Sequence, residues 1–330
     1  MRIIVTGGSG FVGTNFVDYA LIKKDKILNI DIKPPFKKDH YEYWKECNIM
    51  NYKELERLVV DFKPEYIVHL AAKTGAHAIT DINEFAPNID GVINLINALI
   101  KLNEAYPENL KRVIFTSSLL VCKMGYIPKY DTDYMPSTAY GMSKVEGEKI
   151  VRNWKNLPFE WTIIRPISVW GPWMGEPYLN FFKAIEKGLY FHIGRGHYRR
   201  SMGYVENIAY QIYSILLAPS EKVHEKTFYV GDPEPTDLYT FAEMVREKLN
   251  APKIRKMPLW AAKSLAKTGD LLKFLGWKNV PLTSFRLNNI TTEYVFDLSP
   301  IMDICNGYVP YNWEVAIERT VEWYKSTYRK

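Results

Sequence analysis

A glycine-rich turn lies directly after the first apolar run of the chain. Residues 2–6 are rich in β-branched side chains, which predicts a short strand. Glycines follow at positions 7, 8, 10 and 13, and apolar residues at positions 16, 17, 20 and 21 then have helical spacing. The sequence therefore predicts a strand, a tight turn and a helix at the start of the chain.

The turn has the spacing of a phosphate-binding loop. Gly8, Gly10 and Gly13 fit the pattern G-x-G-x-x-G, and Gly7, Gly10 and Gly13 fit the looser G-x-x-G-x-x-G. Without Cβ atoms, such a turn can bring its N–H groups close to a pyrophosphate at the helix N-terminus. A simple turn that needs positive φ would also select glycine, so the pattern gains weight from its place between a predicted strand and a helix.

A carboxylate follows the second apolar run at the distance expected for a dinucleotide site. Asp31 ends the run 27–30, roughly 20 residues past the last glycine. Its oxygens can accept hydrogen bonds from both adenosine ribose hydroxyls and would repel a 2′-phosphate. The sequence therefore favours NAD over NADP, with Lys33 nearby as the one feature that keeps NADP open.

Strand and helix patterns alternate through the first half of the chain. Beyond the first two strands, the pattern predicts strands at 66–72, 112–118 and 161–165, and helices at 52–62, 84–106 and 137–154. This alternation predicts an α/β fold, a Rossmann-type doubly wound parallel sheet. Ligands bind beyond the carboxyl ends of such strands, where Gly7, Asp31, Ala71 and Ser118 lie.

The pattern changes from residue 166 onward. Elements become shorter and are interrupted by proline, glycine and aromatic residues. We expect a Rossmann domain at 1–165, to which elements near 204–231 return (a helix at 206–217 and a strand at 227–230), and a smaller interleaved C-terminal substrate lobe at 166–330.

A tyrosine and a lysine stand four residues apart in the predicted helix 137–154. On a helix, Tyr140 and Lys144 would share one face. A nearby cation can lower the ordinary tyrosine pKa of about 10 and make the phenol a base for a substrate hydroxyl. The same spacing at positions 19 and 23 and at 41 and 45 needs no such role, because only Tyr140 follows a strand that ends in Thr116-Ser117-Ser118.

Composition narrows the class of protein. Apolar content of 47%, charged content of 24% and a net charge of +6 suit a globular enzyme with a polyanionic small substrate, and no nucleic-acid-binding motif or metal-ligand spacing is present. The three cysteines are far apart and suit a reduced cytoplasmic protein. Because the first strand starts at residue 2 and no apolar run reaches ~18 residues, we expect neither a signal peptide nor a membrane span.

Together these motifs resemble the extended short-chain dehydrogenase/reductase family, which includes UDP-galactose 4-epimerase, nucleotide-sugar dehydratases and decarboxylases, and related reductases. The resemblance covers nearly the whole chain and rests on Thr6 to Gly13, Asp31, His69 to Ala72, Asn88, Thr116 to Ser118, Tyr140 to Lys144, Arg165-Pro166, Val169 to Pro172, and Arg200 ahead of Tyr204-Val205.

The resemblance implies a role for each matching residue. Tyr140 would be the acid/base, Lys144 would bind the nicotinamide ribose and tune Tyr140, and Ser118 would hydrogen-bond the reacting oxygen. Substrate would be bound by Ser118, Tyr140 and Arg200, with Arg200 on the diphosphate. NAD would be bound by Gly7, Gly10, Phe11, Val12, Gly13, Asp31, Ile32, Asn48, Ile49, Leu70, Ala71, Ala72, Asn88, Ser117, Tyr140, Lys144, Pro166 and Val169. A homodimer through the helices 84–106 and 137–154 is a further family expectation.

Departures from the family pattern narrow the reaction. Dehydratases of the family follow the active-site Ser/Thr with an Asp-Glu pair, and here Leu119-Leu120 have no titratable group, which argues against dehydration. Ser168 and Cys122 stand where UDP-hexose epimerases usually have asparagine and tyrosine, which puts UDP-galactose itself in doubt as the substrate.

We therefore expect an NAD-dependent epimerase or oxidoreductase of a nucleotide-diphosphate sugar. The alternatives are a dehydrogenase or reductase of a nucleotide sugar or a steroid-like alcohol, and a non-catalytic NAD-sensing protein.

Four other features of the sequence each allow a functional and a structural interpretation. His69 is expected to be a packed residue rather than a catalytic one, and His77 a surface residue rather than a sugar contact. Trp170 and Trp173 could line the substrate pocket or fill an interface. The segment 259–275 has the pattern of a basic amphipathic helix, for which packing onto the substrate lobe is favoured over contact with a membrane surface.

Overall fold

The structure is a computed structural model that describes residues 1–75, 80–277 and 280–329. Its strands are β1 (Arg2–Thr6), β2 (Lys26–Asp31), β3 (Trp44–Glu46), β4 (Tyr66–His69), β5 (Arg112–Thr116), β6 (Glu160–Pro166), β7 (Val169–Trp170), β8 (Phe191–Ile193), β9 (Arg199–Arg200), β10 (Gly203–Tyr204), β11 (Lys226–Val230), β12 (Thr236–Asp237) and β13 (Arg255–Met257).

The helices are α1 (Phe11–Ile22), α2 (Tyr52–Phe62), α3 (Asp90–Ala105), α4 (Ala139–Asn153), α5 (Tyr178–Glu186), α6 (Val205–Leu217), α7 (Ser220–Val223), α8 (Leu238–Leu249), α9 (Leu259–Phe274), α10 (Ser284–Thr291), α11 (Ser299–Ile304) and α12 (Trp313–Tyr328). Short 3-10 helices span Lys38–Tyr43, Ile82–Asn88 and Leu119–Val121.

A seven-stranded parallel sheet confirms the predicted doubly wound fold. The strand order is β11-β6-β5-β4-β1-β2-β3, and every neighbouring pair is parallel. The order of strands reverses between β1 and β4, where Thr6 is in register with His69. A crevice for a ligand forms beyond the carboxyl ends of the strands at such a switch point.

Helices pack against the sheet through its buried apolar side chains. α2 and α3 contact each other, and Leu55 and Leu95 join Ile4 and Ile67 of the sheet in one core cluster. α1 packs against α6, which leads into β11 beside β6. A helix and a strand that follow residue 204 therefore lie with the main sheet.

Two predicted elements end earlier or break. The predicted helix 84–106 is a 3-10 helix followed by α3, and the break lies at Ile89. Phe85 also has a non-helical conformation, two residues before Pro87, which has no N–H to donate to the preceding turn. The predicted strand 66–72 stops at His69, which is in register with Thr6, the last residue of β1; Leu70 still donates a hydrogen bond to the Thr6 carbonyl at 2.9 Å.

The chain divides into two compact units. The first contains residues 1–173, 203–233 and 297–311. The second contains 174–202, 234–296 and 312–330, with small sheets β8/β13 and β9/β12 and aromatic contacts such as Phe181 stacked on Phe241. No helix of the described ranges is long and apolar enough to cross a membrane.

Candidate active site

The glycine turn of the first unit is a cradle with no space for side chains. A Cβ added to Gly13 would lie 2.2 Å from the carbonyl oxygen of Gly7, closer than any real side chain approaches. Helix α1 begins at Phe11 with Gly10 as its N-cap and no side-chain cap, so its first N–H groups remain available to an anion. Phe11, Val12 and Gly13 form this first turn.

Asp31 lies beside the same turn. Its carboxylate accepts hydrogen bonds from the backbone N–H groups of Ser9 and Lys33, each at 3.0 Å. Burial raises the pKa of Asp31, and the two backbone hydrogen bonds oppose that rise. A carboxylate can accept further hydrogen bonds, so the cradle and Asp31 together fit the pyrophosphate and ribose of a dinucleotide.

Other residues expected to bind the cofactor lie around the carboxyl edge of this sheet. Leu70, Ala71 and Ala72 follow β4 and are partly exposed, and Ile32 after β2 is 56% exposed. Asn48 and Ile49 precede α2, and the Ile49 carbonyl accepts a hydrogen bond from Asn94 of α3 at 3.0 Å. Pro166 ends β6, Val169 begins β7, and Ser117 follows β5.

Asn88 has a structural role that sequence reasoning did not foresee. Its side-chain amide donates hydrogen bonds to the Lys73 carbonyl at 3.0 Å and to the Ser143 hydroxyl at 2.9 Å, and its oxygen accepts one from the Lys73 N–H at 2.8 Å. Ser143 in turn donates to the Tyr140 carbonyl at 2.7 Å. Asn88 thus ties the loop after β4 to the first turn of α4.

Helix α4 brings Tyr140 to the end of β5. Thr138 caps the helix by accepting a hydrogen bond from the Gly141 N–H at 3.0 Å. A Cβ on Gly141 would lie 2.2 Å from the Leu120 carbonyl oxygen, so glycine is needed for this close approach. Tyr140 lies near Ser118, and the Ser118 hydroxyl affects the pKa of the phenol.

Lys144 lies one turn further along α4. Its ammonium donates a hydrogen bond to the Thr116 carbonyl at 2.8 Å and lies 6.0 Å from the centre of the Tyr140 ring. Burial lowers the pKa of Lys144 to about 8, although the nearby Glu148 opposes that effect. The structure therefore brings Ser118, Tyr140 and Lys144 together.

The electrostatic effect on Tyr140 differs from the one expected. Burial raises the pKa of Tyr140, and the hydrogen bond with Ser118 only partly opposes that rise. The Lys144 ammonium is directed at the Thr116 carbonyl, at 2.8 Å.

A buried ion pair supports the catalytic helix. The Glu148 carboxylate accepts hydrogen bonds from Arg165 at 2.7 and 2.8 Å, and both side chains are almost wholly buried. Burial raises the pKa of Glu148, but Arg165 outweighs that effect and holds the pKa below its usual value. Glu148, Lys144 and His69 line one small internal cavity. Sequence reasoning missed Glu148, although its position four residues after Lys144 was a signal for the shared helix face.

The structure gives the positions of the residues for which the sequence allowed both a functional and a structural role. His77 lies outside the described residues. His69 is buried, bonds to the Thr6 hydroxyl at 2.7 Å, and has its pKa lowered to about 3 by burial and by Lys144. Trp170 is fully buried against Tyr204. Trp173 stacks on Phe36 with ring centres 5.5 Å apart.

Arg200 belongs to the second unit and differs from the exposed basic residues before it, Arg195, His197 and Arg199. It is 8% exposed, and its Nε and Nη2 atoms have no hydrogen-bond partner among the described residues. Burial lowers the pKa of Arg200, while Tyr178 and Tyr190 oppose that effect. A buried guanidinium with unused donors is suited to binding an anion. In the described part of the chain, no group of three or more His, Cys, Asp or Glu side chains is placed to hold a metal ion.

Comparison with known proteins shows the class to which this fold and site correspond. Residues 3–231 match the model of the NAD-dependent epimerase/dehydratase family, and the chain belongs to that family. NAD is the cofactor of this family, which agrees with the glycine cradle and Asp31.

Individual relatives are similar over most of the chain. A UDP-glucose 4-epimerase of Vibrio cholerae is 29% identical over 275 residues, 80% of this chain and 81% of that protein. An N-acetyl-α-D-glucosaminyl-diphospho-ditrans,octacis-undecaprenol 4-epimerase of Escherichia coli O157:H7 is 27% identical over 335 residues, 98% of this chain and 95% of that protein. The crystal structure of a UDP-glucose 4-epimerase of Thermotoga maritima with UDP-glucose has the same fold, with a TM-score of 0.75, 20% identity and 99% coverage of both chains.

Proposed function

We propose that this protein is an NAD-dependent epimerase that acts on a ring hydroxyl of a nucleotide-diphosphate sugar. The observation that carries the proposal is the grouping of Tyr140 with Ser118 and with Lys144, whose ammonium lies 6.0 Å from the centre of the Tyr140 ring. All three lie at the carboxyl edge of a sheet whose first turn fits a dinucleotide. A phenol, a hydroxyl and an ammonium so placed are suited to moving one proton to and from a sugar oxygen.

Each side chain has one task in the proposed reaction. Tyr140 takes the proton of the sugar hydroxyl and later returns it. Ser118 donates a hydrogen bond to the same oxygen, and the Lys144 ammonium stabilises the phenolate. The glycine cradle and Asp31 hold NAD, which supplies a hydride acceptor and donor when bound.

Leu119 and Leu120 separate this proposal from dehydration. They follow Ser118 in a short 3-10 helix and offer no acid or base for removing water. The lack of such a group at these two positions supports epimerisation or net redox chemistry over dehydration.

Arg200 supports a diphosphate in the substrate. Its guanidinium is buried with unused N–H donors, and an anion would satisfy them. We propose that Arg200 binds the diphosphate that joins the sugar to its carrier.

A second candidate is the same epimerisation on a sugar joined through diphosphate to a polyisoprenoid lipid. The relative from Escherichia coli O157:H7 that aligns over nearly the whole chain is named for such a substrate. Helix α9 exposes Trp260 and Phe274 to solvent, a feature that a water-soluble substrate does not require. Both candidates share the sugar diphosphate and differ in its carrier.

The test is turnover of purified protein without added cofactor, followed by mass spectrometry and by sugar analysis. An epimerase retains NAD through purification and interconverts the two sugars, whereas a dehydrogenase or reductase consumes or forms NADH in step with product. UDP-N-acetylglucosamine and N-acetylglucosaminyl diphosphoundecaprenol, supplied in parallel, distinguish the two carriers. Absence of sugar interconversion with both compounds would exclude these two substrates, and formation or consumption of NADH in step with product would refute the epimerase proposal.

The homodimer and the cytoplasmic location remain predictions. Sedimentation velocity of the purified chain measures the first, and fractionation of the source cells measures the second.

A further inference from the structure

Helix α9 of the second unit packs inward through its smallest residues. Ala262, Ala266 and Gly269 are its buried positions, spaced four and three residues apart. The two alanines join Ile193 and Leu287 in a small core cluster, and α9 packs closely against α10. The expected packing of this helix onto its own lobe is therefore observed, and it uses these small residues together with Leu259 at the start of the helix.

The large apolar residues of the helix point to solvent instead. Trp260 is 73% exposed, Leu271 58% and Phe274 86%, and the next residues continue the pattern, with Leu275 65% and Trp277 61% exposed. A surface helix of a globular protein normally turns its large apolar residues toward the core. A group of exposed aromatic and leucine side chains marks an interaction surface.

Two lysines lie within this face. From Trp260 the chain reaches Lys263, Lys267, Leu271 and Phe274 in steps of three and four residues, which places them on one side of the helix. Lys263 and Lys267 are exposed, and neither forms an ion pair with another described residue. We call Trp260, Lys263, Lys267, Leu271, Phe274, Leu275 and Trp277 the α9 surface.

The segment around α9 has an excess of positive charge equal to the net charge of the whole chain. Residues 251–283 contain seven lysine and arginine residues and one aspartate, an excess equal to the net charge of +6 of the full sequence. Outside this segment, basic and acidic residues are equal in number. The α9 surface therefore combines exposed large apolar side chains with the segment that holds the excess positive charge.

We propose that the α9 surface docks on a lipid bilayer that contains anionic lipids. Tryptophan, phenylalanine and leucine side chains partition into the boundary between headgroups and acyl chains, and lysines reach from the same face to lipid phosphates. A protein partner fits this surface less well, because lysine is depleted in the buried centre of protein interfaces. Since no helix of the described residues can cross a membrane, the contact is peripheral.

The test is sedimentation of the full-length protein with vesicles of phosphatidylcholine alone or mixed with phosphatidylglycerol. We expect binding to the mixed vesicles that weakens with added salt, because surface charges are screened. The double variant Trp260→Ser/Phe274→Ser is expected to lose binding to the mixed vesicles. The double variant Lys263→Gln/Lys267→Gln is expected to lower binding to the mixed vesicles by about 10- to 30-fold, since each lysine contributes to attraction by anionic lipids.

Matched controls change equally exposed residues of the first unit. Ile22 and Leu217 are 76% and 58% exposed, and their double serine variant is expected to bind as the unchanged protein does. Lys53→Gln/Lys101→Gln provides the same control for charge. Circular dichroism of every variant establishes that it is folded.

Two outcomes would overturn the proposal. One is that the unchanged protein fails to bind mixed vesicles, or that the α9 variants bind them as well as it does. The other is that these variants alter the oligomeric state in sedimentation velocity without altering vesicle binding, which would identify the surface as a contact between copies. Because the vesicle assay contains no sugar, its result is independent of the proposed epimerase activity.

Discussion

Replacement of Lys144 by methionine tests the electrostatics of the site through stability. Lys144 is buried, and its pKa of about 8 is lower than the ordinary lysine value of 10.5. That difference corresponds to a cost of about 3 kcal/mol in the free energy of unfolding at pH 7. Methionine has a similar length and no charge, so it removes this cost but also the hydrogen bond to the Thr116 carbonyl, worth about 1 kcal/mol. Lys144→Met should therefore be more stable than the unchanged protein by about 2 kcal/mol at pH 7.

The sign of the pH dependence follows from proton binding. Between pH 8 and 10.5 the unfolded chain holds a proton on Lys144 that the folded chain has lost, so the stability of the unchanged protein rises with pH in that window. Below pH 8 both states are protonated and the cost of burying the charge is present in full. The advantage of Lys144→Met should thus shrink by about 2 kcal/mol between pH 7 and about pH 9.5.

Urea unfolding followed by circular dichroism at both pH values measures this difference, with the bound nucleotide of each sample quantified. The exposed Lys149 of the same helix provides the matched control, and Lys149→Met should show no comparable change with pH. A Lys144→Met protein that is less stable at pH 7, or one whose stability difference is the same at both pH values, would refute the reasoning.

Three further substitutions test the parts of the site separately. Glu148→Gln leaves the buried Arg165 without its charged partner and should lower the free energy of unfolding by about 3–5 kcal/mol, measured by urea titration. As the control, Glu146→Gln removes an exposed ion pair of the same helix and should lower it by under about 1 kcal/mol. Gly13→Ala places a Cβ against a backbone carbonyl and should abolish retention of NAD, which chromatography of the released nucleotide measures. As the control, Gly175→Ala has nothing within 4 Å of the added Cβ and should retain NAD. Arg200→Met should raise KM for the sugar diphosphate by about 100-fold with kcat little changed, and an unchanged KM would remove Arg200 from the substrate site.

Much of the fold could be predicted because local signals agree with the tertiary structure. Helix α2 spans 52–62 as predicted, since Asn51 caps its start and Lys63 ends it in the left-handed conformation. Buried strands such as β1 and β5 are continuous apolar runs, as parallel strands covered on both faces must be. The glycine spacing placed the first turn correctly because few other residues tolerate that geometry.

Other features depend on distances that periodicity does not report. The ion pair of Glu148 with Arg165 joins a helix to a strand, and neither residue type alone indicates a buried partner. The orientation of α9 was not predictable, because small and large apolar residues both recur at helical spacing and only packing decides which set is buried. The direction of the Tyr140 pKa shift is set by the burial of the phenol, which a spacing of four residues does not reveal.

The most direct test of the central claim is the turnover of Tyr140→Phe with the sugar diphosphate that the unchanged protein epimerises. Loss of the phenol should lower kcat by at least about 100-fold while the retained NAD stays the same. Tyr19 also stands four residues before a lysine, so Tyr19→Phe provides the control. This variant should keep full activity. Full activity of Tyr140→Phe would contradict the proposed mechanism.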